Sequence, residues 1–377
     1  MNKVRDFIKN ETVLTVSFIL ALISCCFVHP DAEYLGYFDL RTLALLYCLM
    51  VVVAGVRRAG VFDALGHALC SRASNVRVLG AILIGLCFFS SMLVTNDVAL
   101  LTFVPFTIAV LGMAGQTKSI AWIVVLQAIA ANMGSVLTPV GNPQNLFLFS
   151  YFDYSVFDFI KVTLPIWLIS LGLVAGLTAA ILPREELQVY LGERPEPDRR
   201  DMFVYFALFV VCLLVVFRVI PWWAMLIAVI AVLLVYKRKM LLKADFALLL
   251  TFVCFFVFSG NMSRIDAVAT ALGSVVQGHE LLIGAGASQA ISNVPAALLL
   301  AGFSADADGL LLGVDIGGLG TPIASLASLI ALKIFSAGKD LAGKPLRGIW
   351  PKFLAANISI LAILLCIGEA INRYYIH

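Results

Sequence analysis

The sequence predicts an all-α polytopic membrane protein, with about nine transmembrane helices of bilayer-spanning length and two re-entrant helical hairpins. These form an inverted structural repeat whose helices break at the midplane. Three observations predict it: a large apolar excess, basic residues confined to alternate loops, and polar-tipped apolar stretches that recur in both halves.

Of 377 residues, 62% are hydrophobic and 13% charged, against roughly 45–50% and about 25% in a soluble domain. A water-soluble fold could not cover so much apolar surface, so lipid is the expected solvent. Net charge is only +3 and the basic residues sit in short clusters, which leaves no stripe for nucleic acid. Eight cysteines (Cys25, Cys26, Cys48, Cys70, Cys87, Cys212, Cys254, Cys366) lie in or beside apolar segments without metal-ligand spacing. They read as small buried hydrophobes. Residues 1–10 are basic and precede an apolar run, as in a signal peptide, but residues 25–30 offer no small-x-small cleavage site. That run reads as a retained first span.

Runs able to cross roughly 30 Å of hydrocarbon fall at 13–29, 40–56, 118–150, 157–182, 202–218, 221–237, 245–260, 309–336 and 350–371. Two stretches do not fit. Residues 78–112 are apolar except for Thr95, Asn96 and Asp97 at the middle. One helix there would run about 52 Å at 1.5 Å per residue, so the chain must turn at Thr95-Asn96. Residues 281–303 have the length of one span but are split by Ser292, Asn293 and Pro295.

Loop charge decides the second case, because one added crossing reverses every later loop. With both stretches returning to their starting side, all but five of the 26 basic residues are cytoplasmic, including Lys3, Arg5, Lys9, Arg57, Arg58, Arg194 and Lys243. The exceptions are Arg41, Lys161, Arg218, Arg264 and Arg373. A single crossing at 281–303 would instead put Lys333, Lys339, Lys344, Arg347 and Lys352 outside. The expected location is therefore the inner (plasma) membrane, N-terminus cytoplasmic and C-terminus outside. Whether 78–112 dips into the membrane or crosses it twice stays open, since both have the same parity.

The halves match in reverse orientation. Residues 95–99 (Thr-Asn-Asp-Val-Ala) align with 292–296 (Ser-Asn-Val-Pro-Ala), and 134–141 with 317–324, so that Thr138-Pro139 meets Thr321-Pro322. In the same register Asn132 matches Asp315, while Cys48 and Gly55 correspond to Cys254 and Gly260. The first repeat is 1–182, with hairpin 78–112 and broken helix 118–150. A cytoplasmic linker and connecting span cover 183–220, and the second repeat is 221–377, with hairpin 281–303 and broken helix 309–336. Inverted repeats with matched breaks point to a transporter whose substrate binds between them near the midplane.

A broken helix offers backbone N–H groups to an anion at one new end and carbonyls to a cation at the other. Expected substrate contacts are Thr95, Asn96, Asp97, Asn142, Pro143, Ser292, Asn293, Val294, Thr321, Pro322 and Ser325. Expected cation contacts are Asn96, Gly141, Asn145, Asn293, Ala324 and Ser328, where hard oxygens suit Na⁺. Each tip should form half a site with its neighbouring break: Asn96 with Gly141 and Asn142, and Asn293 with Ala324 and Ser325. Asp97 and Asp315 are the proton-coupling candidates, because acidic side chains inside a membrane usually mark ion pathways. The histidines His29, His67, His279 and His377 fall at ends and loops. No cofactor, transition metal or enzymatic set is expected, only a coupling Na⁺ or H⁺.

At these residues the chain resembles the ion transporter superfamily of divalent anion:sodium symporters, citrate permeases, arsenite efflux permeases and sodium/proton antiporters. The likeness covers about residues 13–371. In the symporters both tips read Ser-Asn-Thr, so Asn96 and Asn293 take the substrate and sodium role, while Asp97 and Val294 depart at the third position. Thr95-Asn96-Asp97 and residues 313–317 look closer to arsenite permeases; residues 138–145 look closer to the anion symporters. The resemblance implies a homodimer and elevator-type movement. Three readings follow: ion-coupled transport of a small anion, arsenite efflux, and Na⁺/H⁺ exchange.

Overall fold

Short polar side chains set where the helices begin, since the first N–H groups of a helix have no partner within it. The computed structural model describes residues 11–187, 196–339 and 343–373; Lys3, Arg5, Lys9, Arg194 and His377 lie outside the described residues. In the first repeat these are α1 (Thr12–Phe27), α2 (Leu40–Arg58), α3 (Val61–Cys70), α4 (Val76–Ser90), α5 (Asn96–Met113), α6 (Thr117–Gly134), α7 (Pro143–Tyr151) and α8 (Val156–Ile181). Helix α9 (Arg199–Val216) connects the halves. The second repeat holds α10 (Trp222–Lys237), α11 (Phe246–Ser263), α12 (Asp266–Val276), α13 (Glu280–Ile291), α14 (Asn293–Leu300), α15 (Ala307–Ile316), α16 (Leu326–Ala337) and α17 (Ile349–Ile371).

The breaks fall where Pro, Gly and polar side chains were read. Helix α6 ends at Gly134, and two 3₁₀ turns carry the chain to Asn142 before α7 starts on Pro143. Helix α15 ends at Ile316, and α16 begins ten residues later, after a turn through Gly320, whose φ of +95° favours glycine. The second hairpin folds at Ser292 into arms of 12 and 8 residues, about 18 and 12 Å by helical rise. The first folds between Ser90 and Asn96, and its second arm, at 18 residues, is apolar and long enough to cross a membrane.

Corresponding elements of the two halves make similar contacts. Helix α1 lies on α11 and α10 on α2, so the first span of each half packs on the second span of the other. Gly55 of α2 lies against the ring of Tyr205 on α9, and Gly260 of α11 lies against the ring of Tyr37. The hairpin contacts match residue for residue. A Cβ on Gly134 would meet the carbonyl of Phe88 and the hydroxyl of Ser91; one on Gly317 would meet Ala285 and Ser288, each 197 positions later. The Thr138 hydroxyl donates to the carbonyl of Met92, and the Thr321 hydroxyl to that of Gln289, at the same spacing.

Helix α6 is buried on all sides, 89% of its span lying inside the protein, the mark of a central helix. Outer helices instead present apolar side chains outward: Phe18 and Leu22 on α1, Phe203 and Phe206 on α9, Ile227 and Val235 on α10, and Ile358 on α17 are exposed. Such a belt suits lipid rather than water. Two cysteines belong to that surface: Cys26 and Cys366 are exposed, not buried as the sequence suggested, because lipid tolerates a thiol as well as a core does. Among the described residues six helices meet the length and hydropathy of a span; one is the hairpin arm α5, so five of the nine expected spans qualify. Helices α1 and α10 have 16 residues, α9 opens on Arg199, Arg200 and Asp201, and the 309–336 run is divided by its break. Sequence reading also passed over α3 and α12, short helices after the second span of each repeat.

Candidate functional site

Where a helix follows Asp39, Asn75, Ser155, Asp198, Asp245 or Asp306, that side chain accepts from an N–H of the first turn. Four further helices follow residues equally suited to capping, yet leave the cap unmade: α5 after Thr95, α7 after Asn142, α14 after Ser292 and α16 after Ser325. These are the starts of the two second hairpin arms and the two second half-helices. Three of these side chains bond elsewhere: Asn142 to Ser135 and Ser292 to Ala324 within their own halves, and Ser325 to Asn132 in the other half.

Asn132, near the end of α6 and 3% exposed, gathers them. Its Oδ1 accepts from Asn96 Nδ2 at 3.0 Å and from Ser325 Oγ at 2.8 Å, and its Nδ2 donates to Ser328 Oγ at 3.0 Å. Ser135 Oγ donates to the Asn132 carbonyl at 2.8 Å and accepts from Asn142 Nδ2 at 2.6 Å. Gly318 has Asn293 Nδ2 and Asn132 Oδ1 beside it, 3.0 and 3.9 Å from where a Cβ would stand. The starts of α5 and α16 are therefore bonded through the Asn132 amide, and that of α7 through Ser135 to the Asn132 backbone carbonyl, with α14 adjacent.

The pseudo-twofold partner of Asn132 is Asp315, 2% exposed on α15. It accepts from Gln144 Nε2 at 3.3 Å and lies against the Asn145 amide. Asn132 thus reaches Ser328 in the second repeat, and Asp315 reaches Asn145, the equivalent position in the first.

A cavity of about 1010 Å³ opens beside this knot. Thr95, Asp97, Asn142 and Pro143 line it, and Arg57, Arg58, Lys243, Asp63 and Asp245 are its other charged lining groups. This puts the first tip and the first break in one space. Asn142 Oδ1 is buried without a hydrogen-bond partner. Gly141 is wedged on Ser135, where a Cβ would meet its carbonyl at 2.2 Å.

The second half is closed. Asn293 N donates to Ala324 O at 3.0 Å and Ser292 Oγ to the same oxygen at 3.3 Å, which joins tip to break. Val294 is buried, and Thr321, beside Pro322, spends its N–H and hydroxyl on Gln289. Gln289 was missed in the sequence. Its amide also donates to the carbonyls of Gly317 and Leu319, holding the break open. Its signal was a lone amide in an otherwise small and apolar hairpin arm. Asn132 was noticed only as the match to Asp315, Ser135 only within the aligned run 134–141, and Gln144 only within the amide-rich run 141–145.

Residues 7–331 match the family model described as citrate transporter. The chain belongs to the citrate transporter family. Like other members it is a multi-pass membrane transporter. This family member is 31% identical over 335 residues to an uncharacterized transporter of Methanocaldococcus jannaschii, covering 86% of the chain and 90% of the relative. It is 30% identical over 350 residues to the inner membrane protein YbiR of Escherichia coli, with 91% of each covered. A shorter match, 35% over 136 residues, covers 36% of the chain and 27% of the silicon efflux transporter LSI3 of Oryza sativa.

Proposed function

We propose that this citrate transporter family member is a secondary active transporter of a small anion, carboxylate or oxyanion, coupled to Na⁺ or H⁺. The observation that carries the reading is the set of four uncapped helix starts gathered at Asn132. Positive helix ends favour an anion; Asp97 N and Asn293 N are engaged by Asn96 Oδ1 and Ala324 O, which leaves the other first-turn N–H groups without side-chain caps, and the Asn96 and Asn293 amides can hold the anion from opposite repeats. Arg57, Arg58 and Lys243 belong to segments of cytoplasmic charge, so the cavity is read as open to the cytoplasm, with the N-terminus on that side of the plasma membrane. Movement of the hairpin-bearing parts against the α1, α2, α10 and α11 scaffold then gives alternating access of the elevator type, in a homodimer.

Vesicles containing the purified protein should accumulate at least one carboxylate or oxyanion when an inward Na⁺ or H⁺ gradient is imposed. Absence of anion-dependent flux under every gradient would overturn the reading. A second reading, export of a neutral hydroxide such as silicic or arsenous acid, is favoured by the Asp97 carboxylate in the cavity and by the partial likeness to the rice silicon efflux transporter. It predicts arsenite flux that anions do not inhibit.

A further inference from the structure

The cavity separates two helices along their length. Leu49, Val53 and Arg57 line it from α2, and Val98, Leu101 and Pro105 line it from α5, each set spaced three or four residues apart on one helix face. Arg57 bridges the two linings: its Nη2 donates to the Leu101 carbonyl at 3.0 Å. That carbonyl is free because of Pro105, which lies inside α5. A proline has no N–H, so the carbonyl four residues before it loses its partner within the helix. Among the described residues Arg57 makes no ion pair, so its charge is spent on this neutral acceptor.

The second repeat fills the equivalent place differently. At the spacing of 197 positions that relates the hairpins, Pro105 corresponds to Gly302, and in the register that sets Gly55 against Gly260, Arg57 falls against Met262. Gly302 lies in the 3₁₀ turn that continues the second arm past α14. A Cβ there would meet Ser263 Oγ at 3.3 Å and Ser259 Oγ at 3.8 Å. Helix α11 and the second arm are therefore in direct contact, whereas α2 and α5 stand apart with an arginine between them.

We propose that Arg57 is a latch, which holds the first hairpin to α2 while the cavity is open and must let go of the Leu101 carbonyl before the two helices close on each other as α11 and the second arm already do. An arginine side chain has no room between helices that pack on a glycine. A bond from a charged donor to a neutral acceptor biases such an equilibrium by about 10- to 100-fold, enough to set the resting arrangement and little enough to break in every cycle. Leu101 stands about 7.5 Å along α5 from Asn96, so the same bond steadies the tip that meets Asn132.

The latch rests on the transporter reading for its second arrangement, but its test needs no substrate. Full-length protein carrying Ala109→Cys, an exposed position in the cavity lining, is reconstituted in vesicles and treated on its cytoplasmic face with a membrane-impermeant maleimide. The rate is taken above that of protein with Ala109 intact. Arg57→Met, which keeps an apolar stem, should slow labelling about three- to tenfold as the closed arrangement gains population. Pro105→Ala supplies the missing N–H, leaves every charge in place and changes an exposed position; it should slow labelling too, and should have no further effect in the Arg57→Met protein, since both act on one bond. An unchanged rate in Arg57→Met, or a Pro105→Ala effect of equal size with and without Arg57, overturns the latch. If Arg57→Met fails to fold, Pro105→Ala decides alone, and an unchanged rate there overturns the latch. A wild type that moves no solute under any gradient overturns the transporter reading instead, while the labelling rates still decide the latch.

Discussion

Asn132→Leu is expected to abolish transport while leaving the membrane helices inserted. One amide serves Asn96, Ser325 and Ser328, and removing it orphans buried polar groups at about 1–3 kcal/mol apiece. The loss is not confined to stability. Asn96 begins α5 and Ser325 precedes α16, so both helix starts lose the bond that aims them. Uptake should fall about 100-fold or more, the scale on which displaced binding groups act, and the melting temperature should fall with it. Asn132→Asp is the control. It keeps the acceptor for Asn96 and Ser325, and the Ser328 hydroxyl can turn to donate. Uptake by Asn132→Leu within a few-fold of wild type would show that the amide knot does not shape the site.

Ser292→Gly should stabilise the protein and impair it. Ser292 holds φ +74° and ψ 153°, a region essentially reserved for glycine and costing other residues about 1–3 kcal/mol. Its hydroxyl gives back one bond, 3.3 Å to Ala324 O, worth about 0.5–1.5 kcal/mol net. Relief of strain should outweigh that bond, so the melting temperature rises while transport falls as the tip loosens. Ser292→Val should do the reverse to stability, since a β-branched side chain tolerates positive φ least. The equivalent Thr95 has ordinary extended angles, φ −60° and ψ 150°, so the same changes there should have small effects on stability. A Ser292→Gly protein that melts below wild type would contradict the strain.

Much of this architecture was legible because lipid imposes strong rules. Apolar length marked most of the long helices and the turn near Thr95, and Thr-Pro pairs marked the breaks to within a residue or two. The alignment of 95–99 with 292–296 held in contacts that no composition could show, such as Gly134 on Phe88 and Gly317 on Ala285. What stayed hidden was the exchange between halves. The sequence pairs each tip with its own break, which is true of Asn293 and Ala324. Asn96, however, reaches Ser325 through Asn132, and Asp315 reaches Gln144 and Asn145, over separations a one-dimensional repeat cannot assign. Gln289 was passed over for another reason. Its importance lies in the backbone it satisfies, the carbonyls of Gly317 and Leu319 and the N–H of Thr321, and backbone need is not written in side-chain type.

The most direct measurement is the kinetics of uptake for Asn96→Ala and Asn293→Ala, each against wild type, with the same substrate and gradient. If both repeats build one site, each substitution alone raises KM or abolishes uptake, although only the first tip lines the open cavity. Wild-type KM and rate in either variant would mean that one hairpin carries the substrate by itself, and the shared site would have to be abandoned.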